Sequence, residues 1–248
     1  SLIESIAADI GAERRGEQGN GFARRRWAPW NPECPDDPDA GTLNRFIATG
    51  IAATPVGSPG ERFHYSDTAY VLLGVLLESA TGRAYHELQR DWILDPLGMR
   101  GTYMAYVDDP NPAARADEMD VWFGPVPMLS SDYDLSFDWG GGGQVSTVDD
   151  MCLFLRAVLD GTLHGRGAER LYSDWQTPIG TTPPREAVGL GLFRWIAGRR
   201  AVNGHAGAWG VRLFHDPRTG AFLAGTVNQR DEGHWMADIF DLVEQELT

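Results

Sequence analysis

The strongest constraint on the fold is the C-terminal third of the chain, where short β-type segments alternate with turns. Residues 189–195, 211–215 and 221–228 are rich in apolar, β-branched and aromatic side chains, and turn formers such as DPRTG at 216–220 separate them. Strands joined by short turns pair antiparallel. Apolar side chains then recur at helical spacing, at Trp235, Met236, Ile239, Phe240, Val243 and Leu247. We therefore expect an antiparallel sheet covered by a C-terminal helix, which is an α+β arrangement.

The region 42–160 carries helical patterns. A helix is expected from Thr42, ending before Pro55. Residues 70–80 are apolar on nearly every side, which is typical of a buried core helix. Gly82 stands just past its end, where glycine commonly closes a helix.

Two further helices are expected on either side of an irregular segment. Residues 84–94 are amphipathic, and Pro96 should stop that helix. Thr147 is typical of a helix N-cap, with Asp150 in the first turn and apolar residues following at helical spacing. Between them, residues 105–138 are rich in Asp and Pro with scattered aromatics, so we expect irregular chain that walls a pocket.

The charge of the chain limits its partners. Its 248 residues carry 21 basic and 35 acidic side chains, a net charge of −14, and the pI is near 4.7. A polyanion such as nucleic acid is therefore not expected as a partner. All 21 basic residues are arginine. A chain without lysine cannot by itself supply a mechanism that needs one.

The sequence shows no membrane span and no cysteine framework. The longest apolar run, at 70–77, is interrupted by Gly74 and falls short of the roughly 20 residues that cross a bilayer. Cys34 and Cys152 cannot build a disulfide framework and lack metal-ligand spacing. The chain starts at Ser1 without a signal-peptide pattern, so we expect a trimmed N-terminus. The compartment, bacterial periplasm or secreted or cytoplasm, stays open.

Common hydrolase motifs are absent, and three other strings stand out. There is no Gly-x-Ser-x-Gly elbow, no His-Glu-x-x-His helix and no P-loop. The strings are PGERFHYSDTAYVLLG at 59–74, DWGGGGQVST at 138–147 and GHAGAWG at 204–210, with DPLGM at 95–99 and GTVN at 225–228 in support. In this order they resemble the serine β-lactamase-like hydrolases. That group includes class C β-lactamases, D-Ala-D-Ala carboxypeptidases, D-aminopeptidases and family VIII esterases.

The resemblance implies a β-lactamase/transpeptidase-like fold and a role for each matching residue. Tyr65 matches the family's Tyr-x-Asn tyrosine, a phenol that shuttles a proton and needs a pKa lowered by nearby positive charge. Asp67 stands where that motif usually has Asn; ionised, it only accepts hydrogen bonds and would orient the site. His205 matches the Lys or His of the third motif. Gly207 would let the substrate backbone approach the strand, and the backbone N–H of Ala208 would form half of an oxyanion hole.

Three further residues are expected around the substrate. Ala206 replaces the usual Ser or Thr of the third motif, which removes one hydroxyl donor. Trp139 and Trp209 would favour a substrate with an apolar acyl or side group. Ser66 lies inside the tyrosine motif without a base that the sequence can assign to it. The other histidines are expected to be structural; they are His64, His86, His164, His215 and His234.

The nucleophile that the resemblance implies is missing. It is the Ser of a Ser-x-x-Lys motif near the N-terminus, which a chain without lysine cannot contain. Three explanations stay open: the large fragment of a processed or nicked hydrolase, one subunit of a split enzyme, or a catalytically dead relative. We expect one incomplete β-lactamase-like domain over 1–248, mainly helical at 42–160, with the sheet and the last helix at 185–248.

The expected activity is serine hydrolysis through an acyl-enzyme, on an ester, a β-lactam or an amide next to a D-residue. Ser-x-x-Lys would come from a separate N-terminal chain or fragment, and no metal or organic cofactor is implied. The alternative is a non-catalytic ligand-binding relative that keeps the pocket, and a third hypothesis uses Ser66 directly. Without the early strands, the sheet would have an open edge and the 70–80 helix would lack cover. The chain separated from its companion should therefore unfold or aggregate.

Overall fold

The structure is a computed structural model of the 248-residue chain. It describes residues 8, 10–12, 15, 26–48, 50, 53, 55–109, 118–131, 133–165, 172, 174–176, 185–197, 199–230, 239 and 242, leaving out the side chains of residues 185, 186 and 197.

The described elements form a helical part followed by a sheet. The helices are α1 (Thr42–Ala48), α2 (Asp67–Thr81), α3 (Tyr85–Gln89), α4 (Asp95–Leu97), α5 (Trp139–Gly142) and α6 (Val148–Leu159), with a π-helical turn (Arg90–Leu94) between α3 and α4. The strands are β1 (Tyr103–Met104), β2 (Trp122–Phe123), β3 (Val126–Pro127), β4 (Gln144–Val145), β5 (Arg185–Val188), β6 (Phe193–Ala197), β7 (Arg200–Ala206), β8 (Arg212–His215) and β9 (Phe222–Gly225).

The sheet is an antiparallel meander in the order β5-β6-β7-β8-β9, which confirms the predicted antiparallel sheet. The strand expected over 189–195 begins only at Phe193, because the preceding residues form a turn with Gly191 at φ +74°. The pattern did not predict β5 and β7 as strands. The expected C-terminal helix lies almost wholly outside the described residues.

The pairing of β7 with β8 depends on Gly204. It lies opposite Phe214, and a Cβ atom on Gly204 would lie 2.0 Å from the Leu213 carbonyl oxygen. Only glycine therefore allows these two strands to approach this closely. The same register sets His205 opposite Leu213 at the end of β7.

Helix α6 covers one face of the sheet. It begins at the predicted N-cap, where the Thr147 hydroxyl accepts a hydrogen bond from the Asp150 N–H. Leu155 and Val158 are buried and belong to one apolar cluster with Phe222 of β9. This part of the core holds the sheet against the helical region.

Helix α2 is buried on one side only, which corrects the expectation of a helix buried all round. Val71 is fully buried, and Gly74 packs so closely on Trp139 that a Cβ atom there would lie 2.6 Å from the indole Cζ3. The opposite side is exposed by 39 to 53 % at four leucines, Leu72, Leu73, Leu76 and Leu77. The described residues therefore pack against only one side of this apolar helix and leave the leucine side exposed. Gly82 closes it in the left-handed conformation, as predicted.

The prediction that Pro96 stops the next helix is wrong. The helical path continues from α3 through the π-helical turn into α4, and it ends at Gly98 with φ +70°. Pro96 stands in the first turn of α4, directly after the π-helical turn. Leu88 is buried as expected, whereas Trp92 of the same pattern is 54 % exposed.

The segment 105–138 is mostly irregular where the structure describes it, apart from the β2–β3 hairpin. Its last residues bring Leu135, Phe137 and Asp138 to the wall of a cavity. The expectation that this segment walls a pocket is met.

Candidate active site

One cavity of about 730 Å³ lies where four parts of the fold meet. Its walls come from the end of β7, the chain entering α2, the turn at α5 and the inner face of α6. Seven of the eight predicted site residues line it; they are Tyr65, Asp67, His205, Ala206, Gly207, Ala208 and Trp209. Sequence positions more than a hundred residues apart therefore share one site.

Tyr65 stands just before α2 and faces the sheet. Its ring centroid lies 5.9 Å from that of His205 and 6.0 Å from that of Phe193. Burial and the nearby carboxylate of Asp67, which accepts a hydrogen bond from the phenol, raise the pKa of Tyr65 well above its ordinary value. The resemblance implied a lowered pKa at this tyrosine, and the described residues produce the opposite shift.

Two carboxyl groups lie beside Tyr65. Asp67 is the first residue of α2, and Asp138 immediately precedes α5. Burial and the charge of Asp67 raise the pKa of Asp138 to about 7. This end of the cavity therefore brings two carboxyl groups together, and near neutral pH Asp138 is partly protonated.

His205 is oriented by the chain itself. Its Nδ1 lies 3.0 Å from the carbonyl oxygen of Ala206. A carbonyl only accepts, so Nδ1 carries the proton in this contact and Nε2 is the remaining ring nitrogen. The ring packs on Phe193 with centroids 4.9 Å apart, which fixes it between the strand and Tyr65.

The end of β7 presents backbone groups to the cavity. Gly207 N–H donates to the Val211 carbonyl at 2.9 Å, and Gly210 turns the chain with φ +85°. Ala208 lies exposed at the tip of this turn, and its own N–H has no acceptor among the residues that the structure describes. A free backbone donor at a cavity wall has the character of an oxyanion-hole group.

Trp139 does not line this cavity; it lines a second cavity of about 380 Å³, together with Gly141 and His205. Its side chain is buried with Leu43, Val71 and Met104. The ring is held there because Gly74 leaves space for it. Trp209 does line the cavity and packs against the cluster that contains Phe137.

The serines and the other histidines show no catalytic arrangement. Ser66 is the N-cap residue of α2 and does not line the cavity. Ser146 does line it, and its hydroxyl bonds to Thr102, which in turn donates to the buried Asp150. This network lies at the start of α6, and its carboxylate, Asp150, accepts from Thr102 and not directly from Ser146. Of the five histidines expected to be structural, none that the structure describes lines the cavity, and His234 lies outside the description.

Sequence reasoning missed three charged residues at the cavity: Asp138, Arg212 and Arg230. Asp138 opens the DWGGGGQVST string, and an acid two positions before a run of four glycines was the available signal. Arg212 lies beside Ala206 through the β7–β8 register, and Arg230 follows β9. No local pattern marks either arginine.

Two further observations concern metals and membranes. The described residues contain no group of three or more His, Cys, Asp or Glu side chains that would hold a metal ion. None of the helices described is both long and apolar enough to cross a membrane.

The sheet, its covering helix and the cavity define the class of protein. The Beta-lactamase family model matches residues 21–245, so the chain belongs to the β-lactamase family of serine hydrolases. The fold is of the β-lactamase/transpeptidase type, as the resemblance implied.

The chain is similar to a curated protein and to two solved structures. The D-alanyl-D-alanine-carboxypeptidase/endopeptidase AmpH of Escherichia coli strain K12 is 28% identical over 207 residues, covering 76% of this chain and 51% of that protein. The D-amino acid amidase of Ochrobactrum anthropi SV3, solved with L-phenylalanine, superposes with a TM-score of 0.70 at 20% identity, over 90% of this chain and 65% of that one. A D-stereospecific amidohydrolase from a Streptomyces species gives 0.68 at 24% identity, over 96% and 67%. The chain thus spans about half the length of the curated Escherichia coli relative.

Proposed function

We propose that this chain is part of a serine hydrolase that acts through an acyl-enzyme on an ester, a β-lactam or the amide of a D-residue. Its nucleophile would be the Ser of a Ser-x-x-Lys element on a separate N-terminal chain or fragment. One observation carries the proposal: Tyr65, His205 and the Gly207–Ala208 turn converge on one cavity of about 730 Å³.

The raised pKa of Tyr65 is consistent with a companion that brings a positive charge. Burial, the two neighbouring carboxyl groups and Tyr70 all raise the pKa of this phenol. A phenol in that state is a poor proton acceptor. An ammonium group beside Tyr65 and Asp67 would reverse part of the shift, and this chain has no lysine to provide it.

The proposed reaction runs in two steps. The companion's serine Oγ attacks the carbonyl carbon, and its proton passes through Tyr65 to the leaving amine or alcohol as the bond to the leaving group breaks. Water then attacks the acyl ester, gives a proton back towards the serine Oγ and releases the acid. The Ala208 N–H would stabilise the oxyanion in both steps, and His205, held by the Ala206 carbonyl, would orient the phenol and the substrate.

The names of the relatives support a D-residue amide or peptide among the three substrate classes, because a D-amino acid amidase, a D-stereospecific amidohydrolase and a D-alanyl-D-alanine carboxypeptidase are similar to this chain. The cavity has apolar walls that suit an aromatic or aliphatic side group; the residues are Ile93, Leu135, Phe137, Met151 and Phe154.

The uncovered side of α2 supports a companion polypeptide. Four leucines of that helix are half exposed although the sequence is apolar all round. Such a contiguous apolar surface marks an interaction site. A companion segment that carries the nucleophile would cover the leucine side of α2. It would also complete the end of the cavity where Asp67 and Asp138 lie.

The test is denaturing mass spectrometry of the purified native protein after treatment with a fluorophosphonate and, in parallel, with a β-lactam. An adduct on a second polypeptide supports the two-piece hydrolase. An adduct on the 27.3 kDa chain contradicts the assignment of the nucleophile, with Ser146 and Ser66 the first positions to map. Turnover of D- and L-phenylalanine amide by the same sample then separates a D-selective amidase from an esterase.

The second candidate is a non-catalytic ligand-binding relative. A chain that brings seven predicted site residues to one cavity and contains no lysine is what this candidate expects. It predicts saturable binding of a D-amino acid amide by calorimetry, with no adduct and no second chain in the same preparation.

A further inference from the structure

The carboxyl group of Asp138 occupies a niche formed by glycines. A Cβ atom at Gly142 would lie 2.6 Å from Asp138 Oδ2, and one at Gly141 would lie 2.8 Å from Oδ1. Real Cβ atoms do not make contacts this short in close-packed interiors. Only glycine at these two positions lets the turn of α5 close around the carboxyl group.

The backbone beside this niche is strained. Trp139 has φ +25°, a conformation that bulky residues rarely adopt. Its ring is buried against Gly74, so the packing of α5 on α2 holds the strained backbone in place. Strain of this kind is retained at functional sites when the surroundings over-determine it, and here its effect is to hold Asp138 at the cavity wall.

Asp67 lies against the same glycine. The Cβ position of Gly141 is 3.6 Å from Asp67 Cβ as well as 2.8 Å from Asp138 Oδ1. Among the described residues, no hydrogen-bond donor and no cation reaches the Asp138 carboxyl group. Two such carboxyl groups at one cavity wall cannot both ionise without mutual repulsion.

We propose that Asp138 is a positioning residue of the active site: its carboxyl group, held beside Asp67 by the glycine niche, keeps a proton, so that no second negative charge lies next to the hydrogen bond from the Tyr65 hydroxyl to Asp67. The inference rests on the proposed function, in which Tyr65 moves the proton of the nucleophile. Burial and the charge of Asp67 raise the pKa of Asp138 to about 7. Above that pH a second negative charge holds the phenol proton of Tyr65 more tightly, and proton transfer through Tyr65 slows.

Other groups around the cavity bear on this titration. Tyr85 of α3 packs behind the glycines, where its ring lies 3.6 Å from a Cβ atom placed on Gly140. The charged and titratable side chains lining the cavity itself are Tyr65, Asp67, His205, Arg212 and Arg230 besides Asp138. A histidine ordinarily titrates in the same pH range as Asp138. The wild-type titration curve therefore does not by itself assign an inflection to Asp138, and a variant of Asp138 is needed to assign it.

The experiment is a carbon-13 NMR titration of the protein as purified, labelled at tyrosine Cζ and at the aspartate carboxyl carbons, from about pH 5 to about pH 9. Tyr65→Phe assigns the Tyr65 signal. We expect one aspartate carboxyl and the Tyr65 Cζ signal to move together with a midpoint near 7. Asp138→Asn, which keeps the shape without the charge, should remove both inflections, and Asp67→Asn should lower the midpoint of the remaining carboxyl.

Asp134→Asn is the matched control, because Asp134 lies four residues earlier and outside the cavity. Its Oδ1 accepts the Ser136 N–H at 2.8 Å, a bond that asparagine can also accept. Both inflections should survive in this variant. A Tyr65 signal without an inflection, or one that persists in Asp138→Asn, overturns the inference. Missing hydrolysis with an intact Tyr65 response contradicts the proposed function alone.

Discussion

Tyr65 is the residue whose chemistry depends most on its surroundings. Its phenol is half-buried, donates to Asp67 and has a raised pKa. Tyr70 offers a matched comparison, because its ring centroid lies only 5.8 Å away and it does not line the cavity.

Tyr65→Phe should lower kcat by a factor of about 10² to 10⁴ with little change in KM. The reason is that the lost hydroxyl takes part in proton transfer and not in substrate binding. Tyr70→Phe should stay within a few-fold of wild type. The measurement is hydrolysis of a D-amino acid amide by the protein with its companion. Equal losses in the two variants would mean that ring packing, not proton transfer, is affected.

The second residue-scale prediction concerns Asp138 and stability. Its carboxyl titrates at 3.8 in the ordinary state and at about 7 in the folded protein, so the folded state binds this proton more tightly. The stabilisation is therefore complete below about pH 4 and is lost as the pH rises through about 7.

Asp138→Asn should leave the free energy of unfolding almost unchanged at about pH 4 and raise it by about 2 kcal/mol at about pH 8. That is less than the pKa difference alone converts to, because Asp138 as a whole residue keeps part of its surface exposed and solvent screens its charge. Urea unfolding of both proteins at the two pH values measures it. A variant that is less stable than wild type at the higher pH contradicts the predicted sign.

At the scale of elements, the strands β7 and β8 are tied by a buried ion pair. Arg200 Nη1 lies 3.4 Å from Asp216 Oδ2, and both side chains are almost completely buried. Arg83 and Asp91 form a comparison pair 2.6 Å apart on the surface. The buried pair matters more, because removing one partner leaves an uncompensated charge out of water.

Asp216→Ala should therefore lower the free energy of unfolding by about 3 to 5 kcal/mol, and Asp91→Ala by about 1 kcal/mol or less. Denaturant unfolding monitored by tryptophan fluorescence tests both. Similar small losses would show that water reaches the buried pair.

The leucine side of α2 belongs to the same scale. Replacing Leu73 and Leu76 together by glutamine should change folding stability by only about 0.5 kcal/mol or less, because both are half exposed. The variant should bind less of a hydrophobic dye and show less self-association by size-exclusion chromatography.

Leu190→Gln is the control for the leucine variant, since Leu190 is 59 % exposed on the turn between β5 and β6. It should leave dye binding and association nearly unchanged. An equal reduction by the control would mean that the α2 side is not a distinct apolar surface.

At the scale of the whole molecule, the proposal of a companion gives a prediction of its own. The chain separated from any copurifying polypeptide should melt at a lower temperature and form larger species, because the leucine side of α2 and the outer strand of the sheet then face solvent. Scanning calorimetry and light scattering before and after separation measure this. A monodisperse chain with an unchanged melting transition would contradict the two-piece proposal.

Local patterns in the sequence were sufficient for much of this molecule. The N-cap at Thr147, the glycine closing α2 and the antiparallel sheet follow from short-range chemistry, and the structure confirms them. The recognisable strings also led to the family and to seven of the residues that line the cavity. The errors have different causes. The strand at 189–195 and the stop at Pro96 fail for local reasons, a turn at Gly191 and a proline in the first turn of α4. The one-sided burial of α2 depends on Trp139, which is distant in sequence.

By itself, the sequence determined the charge of the protein, its lack of lysine, the N-cap at Thr147, the glycine that closes α2 and the family, because composition, caps and motif strings are properties of adjacent residues. The tertiary structure alone decided three things: that α2 has one covered side, that Trp139 is core, and that Asp138 meets Asp67 at Gly141. The physical reason is that burial and electrostatic coupling act across space, between residues that no local pattern relates.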